Sequence, residues 1–365
     1  MICTPTKLLL IGPVPPPLGG ATVLFQFLLD ELSLREDIEV VVVNTSSAGC
    51  GQLGKIYLLL GQFLKVLWFL PQVDIVSLHA STNRFILFGG LLRVLCRVCR
   101  RPFIARLFGG SLLEAIKQLS GLKRCCFKSV MKADCVLVEI KEMRERLSEQ
   151  FPDSKLLWFA NSRPYDRGSA TCLPSIQSVE GKLVFSFISH VRPEKGIYEL
   201  ASAVQLLGTR QDFEVRVYGP LFPEVDLSML EISDKIFYRG SLDPDEVSAA
   251  IHASDVVLLP SWYDGEGHPG TLIEAFVLER PVIATRWKYI PEVVEDSVNG
   301  LLVDPKDSTG LANAMRRILN DRSLLKVLAD GARQSANQFS SAYWNGDVFC
   351  GLCFEVSKSK EQSEQ

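Results

Sequence analysis

The sequence predicts an α/β protein made of two doubly wound domains, each a parallel sheet flanked by helices. Three observations support this class. Short apolar runs of strand length alternate with helix-length segments along the chain, which implies parallel strands joined by right-handed crossovers. The 365 residues are long for one domain and suit two. A polar, proline-containing stretch divides two series of strands.

The first series forms an N-terminal domain over residues 1–165, and residues 166–182 are interpreted as a linker. Its candidate strands are Lys7–Gly12, Glu39–Asn44, Asp74–His79, Pro102–Phe108, Cys135–Glu139 and Lys155–Phe159. The second series forms a C-terminal domain over residues 183–340. Its candidate strands are Leu183–Ser189, Phe213–Gly219, Lys235–Gly240, Asp255–Pro260, Pro281–Thr285 and Gly300–Val303. Ligands bind doubly wound sheets at the carboxyl ends of the strands, so the cleft between two such domains is the expected active site.

The composition favours a cytosolic globular protein, since 47% of the residues are hydrophobic and 22% are charged. The ten cysteines show neither a disulfide framework nor zinc-ribbon spacing, which favours free thiols in a reducing compartment. The N-terminus lacks the regions of a signal peptide. The most apolar stretch, Ile56–Leu70, is interrupted by Gln62 and Lys65 and falls short of the roughly 20 residues that span a bilayer.

A basic stretch covers residues 84–132, with eleven Lys or Arg against one acid, Glu114. Its net charge is +10, although the whole chain carries −3. Such runs are usually solvated faces, but apolar residues such as Phe85–Phe88 interleave with this one. The combination favours peripheral docking on anionic lipid headgroups. No nucleic-acid fold signature accompanies the charge, so nucleic acid is not an expected partner.

Two acids, Glu266 and Glu274, lie on either side of a predicted loop-to-helix junction. Carboxylates bind sugar hydroxyls, whereas the amides of Gly270 and Thr271 at the start of the helix bind phosphate. The segment therefore predicts a pocket for a nucleotide sugar. His268, inside the loop, either faces the sugar or packs.

Two cations, Arg192 and Lys195, follow the first strand of the second series and precede a helix. Alone they indicate a solvated basic turn, but beside the two-acid loop they favour a diphosphate clamp. Asp243-Pro-Asp245 precedes a helix, so we interpret Asp243 as its N-cap rather than as a metal ligand. We therefore expect no metal and no cofactor, the donor being a substrate.

A glycine pair, Gly19-Gly20, opens the first predicted helix and lets backbone amides approach an anion or a sugar. The alternative is a tight strand-to-helix turn. The spacing is not G-x-G-x-x-G, which disfavours a Rossmann oxidoreductase.

Several segments resemble the retaining GT-B glycosyltransferases of group 1 (family 4). Over about residues 183–340 they are His190–Gly196, Tyr218-Gly219, Ala253–Pro260, Glu266–Glu274, Arg280–Ala284 and Asn299–Asp304. In the first 160 residues the resemblance is looser and rests on Gly19-Gly20, Phe108-Gly109-Gly110 and Phe159–Asn161. It implies the GT-B fold, two Rossmann-like domains facing a central cleft, with the acceptor on the first and the donor on the second.

The resemblance also implies roles for individual residues. Glu274 holds the ribose of the donor nucleotide, Glu266 contacts hydroxyls of the donor sugar, and Arg192 with Lys195 binds the diphosphate. Residues 341–365 are expected to form a helix that crosses back onto the first domain and ends in a frayed polar tail.

One position departs from the family. Phe108 stands where many members carry a histidine that contacts the donor sugar, so this contact falls to the amides of Gly109 and Gly110. His79, at the end of its strand, either approaches the cleft or is a core histidine.

The predicted function is transfer of a hexose-type sugar, with retention, from a nucleoside-diphosphate sugar to a glycan hydroxyl. The candidate catalytic residues are Glu266, Arg192 and Lys195, and domain closure would bring Gly19-Gly20 against the diphosphate. The expected acceptor is a polyprenyl-linked oligosaccharide of surface-polysaccharide biosynthesis, reached at the cytoplasmic face of the membrane. The alternatives are a soluble GT-B transferase acting on a small metabolite or sugar phosphate, and a catalytically silent GT-B binding module.

Overall fold

The computed structural model describes residues 4–17, 19–46, 52–164, 181–226, 228 and 233–364. It divides into two compact units, Met1–Pro164 with Ser340–Gln365, and Tyr165–Phe339. Each unit contains one six-stranded sheet in which all neighbouring strands are parallel. The predicted class of two doubly wound α/β domains is confirmed. Most of the predicted linker, residues 166–180, lies outside the described residues.

The first unit has the strand order β2-β1-β3-β4-β5-β6. Its strands are β1 Thr6–Gly12, β2 Ile38–Asn44, β3 Ile75–Ser81, β4 Phe103–Phe108, β5 Cys135–Val138 and β6 Leu156–Trp158. Its helices, in chain order, are α1 Gly20–Ser33, α2 Gln52–Phe69, α3 Thr82–Val98, α4 Leu112–Lys117, α5 Gly121–Val130 and α6 Lys141–Gln150.

The second unit has the strand order β12-β11-β10-β7-β8-β9. Its strands are β7 Leu183–Ile188, β8 Phe213–Tyr218, β9 Ile236–Tyr238, β10 Val256–Leu259, β11 Val282–Thr285 and β12 Gly300–Val303. Its helices are α7 Ile197–Leu206, α8 Pro244–His252, α9 Gly270–Val277, α10 Ser308–Asn320 and α11 Arg322–Ala336.

The last segment of the chain belongs to the first unit. A π-helical turn, Ala342–Val348, leads into α12, Phe349–Glu364. The Trp344 ring packs edge-on against Trp158 and Phe159, with ring centroids 4.9 and 5.5 Å away. Helix α12 continues to Glu364 and includes most of the polar tail, whose Lys, Glu and Gln residues are good helix formers; the fraying of this tail stays a prediction.

Each sheet changes its direction of strand addition once, between β1 and β3 in the first unit and between β7 and β10 in the second. The loops at the carboxyl ends of these strands are where doubly wound sheets bind ligands. Within the described part of the chain, no helix has the length and hydropathy to cross a membrane.

Candidate active site

Two loops of the second unit meet where its strand order reverses, one after β7 and one after β10. The Trp262 amide donates to the carbonyl of Glu194 at 2.8 Å and joins the loops. Gly196 has a φ of +82°, and a Cβ there would lie 2.1 Å from the carbonyl oxygen of Pro260. Only glycine fits this contact, which brings the chemistry-bearing side chains of both loops together.

Lys195 and Glu266 form the centre of the site. Lys195 Nζ donates to Glu266 Oε2 at 2.7 Å, and Ser261 Oγ donates to the same oxygen at 2.6 Å. The two side chains are only 13% and 8% exposed. They therefore form a nearly buried, hydrogen-bonded ion pair in which each charge compensates the other. Ser261 was not predicted from the sequence, although its position directly after Pro260, at the end of a strand, was an available signal.

Arg192 lies beside this pair and is held by the carboxylate of Glu194. Its Nε and Nη2 donate to Glu194 at 2.9 and 3.3 Å, which raises the pKa of Arg192 and lowers that of Glu194. The guanidinium lies over the rings of Phe222 and Tyr263, 5.1 and 5.3 Å from their centroids. The sequence did not predict this pairing of Arg192 with Glu194.

Helix α9 begins at the same place. Gly270 is its first residue, so the amides of Gly270 and Thr271 belong to the first turn and have no intrahelical acceptor. The Thr271 hydroxyl donates to the carbonyl of Ile188 at 3.3 Å, which fastens the helix start to the end of β7. Glu274 lies one turn further along and is partly buried. The positive end of α9 thus lies at the carboxyl end of β7, the strand that the Arg192–Lys195 loop follows.

His268 is packed into the second unit. Its side chain is 1% exposed, and Nε2 lies 2.9 Å from Glu292 Oε2. Glu292 ends a short 3-10 turn, Ile290–Glu292. The Glu292 carboxylate therefore holds a ring that is packed in this structure. The contact of His268 with the donor sugar stays a prediction.

The glycine pair of the first unit lies at the start of α1, after β1. Gly19 is the N-cap, and its N–H donates to Thr22 Oγ1 at 3.0 Å. Both glycines are exposed, and a Cβ at either one would meet nothing within 4 Å. Local packing therefore does not require glycine here, and the backbone is open to a close approach.

The Gly109-Gly110 turn follows β4 and is less open than predicted. Gly109 has a φ of +89°, and its N–H donates to Glu139 Oε1 at 3.2 Å. This amide, expected to contact the sugar, is thus engaged by a buried carboxylate. Phe108 is also buried, with its ring centroid 5.0 Å from the Arg106 guanidinium carbon. The contact of Glu139 with this turn was not predicted from the sequence, although an acid directly after a strand was an available signal.

His79 lies in the core of the first unit. The ring is fully buried, its Nε2 is 2.9 Å from Ser77 Oγ, and it packs against Phe25 and Phe349. Burial first, and then the nearby Arg106, lowers the pKa of His79 well below its ordinary value. Of its two alternatives, the core histidine is the one observed.

Asp243 caps α8, as predicted. It forms a capping box with Glu246, whose Oε2 accepts the Asp243 amide at 2.8 Å. Among the described residues, no group of three or more His, Cys, Asp or Glu side chains is arranged to hold a metal ion.

Sequence comparison shows that part of the chain is similar to a family of known enzymes. Residues 182–321 match the family model for glycosyl transferases group 1. The alpha-D-kanosaminyltransferase of Streptomyces kanamyceticus is 23% identical over 49% of this chain and 47% of its own length. The MMP alpha-(1->4)-mannosyltransferase of Mycolicibacterium hassiacum is 32% identical over 40% of this chain and 36% of its own. The chain therefore spans about half or less of the length of these curated relatives.

Structural comparison covers nearly the whole chain. Sucrose-phosphate synthase from Thermosynechococcus elongatus matches with a TM-score of 0.73 and 16% identity, over 97% of this chain and 100% of that one. HepE from Anabaena, solved with UDP-glucose, matches with a TM-score of 0.67 and 18% identity, over 95% and 99%. At these identities the likeness concerns the fold, which is GT-B.

Proposed function

We propose that this protein transfers a hexose-type sugar from a nucleoside-diphosphate sugar to a hydroxyl of a glycan acceptor. The match of residues 182–321 to the group 1 glycosyl transferases supports this proposal. The observation that carries the proposal is the meeting of Lys195 and Glu266 at 2.7 Å, where the strand order reverses. A cation for phosphate and a carboxylate for sugar hydroxyls thus lie side by side. HepE, solved with UDP-glucose, has the same fold and supports a nucleotide-sugar donor.

In the proposed complex, Arg192 and Lys195 bind the diphosphate, together with the amides of Gly270 and Thr271. Glu266 binds hydroxyls of the sugar, and Glu274 binds the ribose. Because cations and helix amides meet the phosphate charge, transfer needs no metal ion.

The proposed chemistry retains the configuration at the sugar. The bond from C1 to the diphosphate oxygen breaks, and the acceptor oxygen forms a new bond to C1 on the same face. The acceptor proton passes to the departing diphosphate, whose growing charge is stabilised by Arg192 and Lys195.

The proposed acceptor is a polyprenyl-linked glycan of surface-polysaccharide biosynthesis, met at the cytoplasmic face of an anionic membrane. The basic stretch 84–132 supports this, and exposed apolar side chains accompany it on α2, α3 and α5. They are Tyr57, Leu59, Leu60, Leu64, Leu67, Trp68, Leu87, Leu91, Val94, Val98 and Leu122. Right-handed crossovers in this strand order put these three helices on one face of the sheet. Exposed apolar surface beside basic charge is typical of membrane contact.

The test is a panel of UDP-, GDP- and dTDP-sugars, screened first for thermal stabilisation and then for sugar transfer or hydrolysis. One donor is expected to raise the melting temperature, since a ligand at about 100 times its Kd adds ~2.7 kcal/mol of stability. Lys195→Met is expected to weaken nucleoside-diphosphate binding by roughly 10- to 100-fold, the loss of a charged hydrogen bond.

The matched control is Lys288→Met, because Lys288 pairs at 3.2 Å with the exposed Asp264, which lies in the same loop as Glu266. It is expected to bind as the wild type does. Normal binding by Lys195→Met would contradict the proposed site. Donor binding without any transfer or hydrolysis would identify a silent module, and efficient transfer to soluble sugars alone would identify a small-metabolite enzyme.

A further inference from the structure

A basic cavity lies between α3 and α5 in the first unit, apart from the residues assigned above. Its volume is about 710 Å³, and four cations line it: Arg93 and Arg97 from α3, and Lys128 and Lys132 from α5 and its end. Arg93 and Arg97 are four residues apart and so lie on one side of α3, whereas Lys132 lies two residues beyond the end of α5. Val94 and Val98 of α3 also line the cavity.

The two helices are held in a fixed register beside this cavity. A Cβ at Gly90 would lie 2.4 Å from the carbonyl oxygen of Cys126, so only glycine permits the close contact. Ser129 Oγ donates to the carbonyl of Gly90 at 2.9 Å. Arg93 Nε donates to the carbonyl of Lys132, which ties the first cation to the end of α5. The cavity is therefore built by packing and hydrogen bonds.

Within the described part of the chain, four cations and no acid line the cavity. None of the four cations forms an ion pair there. The neighbouring acid, Asp134, accepts the amide of Phe103 at 2.8 Å. Like charges four residues apart destabilise a helix, and a bound anion would remove that repulsion.

The wall of the cavity indicates which anion fits. Val94 and Val98 are 52% and 74% exposed, and Leu87 and Leu91 continue the same stripe along α3. A soluble anion leaves this stripe in water, whereas a lipid covers it with hydrocarbon while its phosphate meets the cations.

We propose that the α3–α5 cavity binds the phosphate of an anionic lipid headgroup, with the apolar stripe of α3 against the acyl chains. This inference rests on the membrane docking proposed above and gives it a defined site. It predicts that cations in the cavity matter more than equal numbers of cations elsewhere in the basic stretch.

The experiment compares two double variants by co-sedimentation with phosphatidylcholine vesicles, with and without phosphatidylglycerol. Arg97→Gln with Lys128→Gln removes two charges from the cavity. Lys123→Gln with Arg124→Gln removes two exposed charges of α5 that do not line it. The cavity variant is expected to lose vesicle affinity by at least about 10-fold, because its charges lie against the headgroups. The control is expected to lose less than about 3-fold, because its two charges do not line the proposed headgroup site.

Val98→Glu gives a second variant, which adds an acid at the cavity and keeps all four cations. Loss of vesicle binding at an unchanged melting temperature supports the site. Equal losses in both double variants overturn the cavity while leaving general docking intact. If the wild-type protein does not bind anionic vesicles, both the cavity site and the general membrane docking are overturned. The donor screen remains a separate test of sugar transfer. Stabilisation by inorganic phosphate without vesicle binding identifies a soluble-anion site and also overturns the proposal.

Discussion

At the scale of single residues, Lys195 and Glu266 depend on each other. Their side chains are almost buried and 2.7 Å apart, so removing one partner leaves the other charge without its counterion. A large truncation would therefore disturb the loop as well as the chemistry. Substitutions that keep the size of the side chain are the informative ones at this pair.

Glu266→Gln removes the charge and keeps an oxygen that can accept from Ser261. The proposed contact between the carboxylate and sugar hydroxyls is weakened, and kcat/KM for the donor is expected to fall roughly 10- to 100-fold. Affinity for the free nucleoside diphosphate, measured by calorimetry, is expected to stay near that of the wild type, since the diphosphate is assigned to other groups.

Asp264→Asn is the matched control, because Asp264 lies in the same loop with its side chain 88% exposed. Its kcat/KM is expected to be unchanged. Equal losses in both variants would show that the loop's charge matters rather than Glu266, and full activity of Glu266→Gln would remove this residue from the site.

Sequence reasoning reached the residues of the second-unit loops but not all of their partners. Lys195 and Glu266 were each predicted from their place after a strand, and parallel topology brought those strand ends together. The pairing of Arg192 with Glu194, and of Gly109 with Glu139, was not predicted. Position along a chain indicates which loop a residue lies in, whereas the direction of its side chain depends on packing between loops.

At the scale of elements, the twelve strands were predicted to within two residues at each end. Strands buried on both faces of a parallel sheet are continuous apolar runs bounded by polar or turn residues, so sequence alone identifies them. The contact between the β7 and β10 loops, which Gly196 allows, involves residues far apart in sequence and emerges only in the fold.

Gly196→Ala is expected to separate these loops. A side chain at φ +82° costs roughly 1–2 kcal/mol. In addition, its Cβ would clash with the backbone carbonyl oxygen of Pro260, 2.1 Å away. We expect a lower free energy of unfolding by denaturant titration, together with weaker nucleoside-diphosphate binding as Lys195 moves from Glu266.

Gly208→Ala isolates the backbone cost, because Gly208 has a φ of +70° but a Cβ there meets nothing within 4 Å. Its free energy of unfolding is expected to fall only by the cost of the backbone conformation, and its nucleoside-diphosphate binding is expected to be normal. If the two variants were equally stable and equally active, the loop contact would have no part in shaping the site.

Substitutions of Asp243, the N-cap of α8, distinguish a structural role of this aspartate from a role as a metal ligand. Asp243→Ala is expected to lower the free energy of unfolding by about 1 kcal/mol, whereas Asp243→Ser keeps a capping oxygen and most of the stability. Both variants are expected to keep wild-type turnover, assayed with and without a chelator. Activity lost in Asp243→Ser and restored by a divalent cation would support the metal alternative.

At the scale of the whole molecule, the chain completes its first unit with its last residues. The two series of strands were predictable from sequence, because each carries its own turn and linker signals. The return of Ser340–Gln365 to the first unit was implied by resemblance alone. Hydrophobic periodicity does not show which sheet an isolated terminal helix covers.

Trp344→Ala tests how far this return stabilises the first unit. Trp344 is 7% exposed and packs edge-on against Trp158 and Phe159, so its removal is expected to cost about 3–5 kcal/mol. Tyr343→Ala is the control, because Tyr343 is adjacent but 52% exposed, and a loss within about 1 kcal/mol is expected. Both are measured by denaturant unfolding, with nucleoside-diphosphate binding assayed on the folded protein. Binding is expected to persist in both variants, since Lys195 and Glu266 belong to the second unit. Equal, small losses would mean that the segment lies on the first unit without stabilising it.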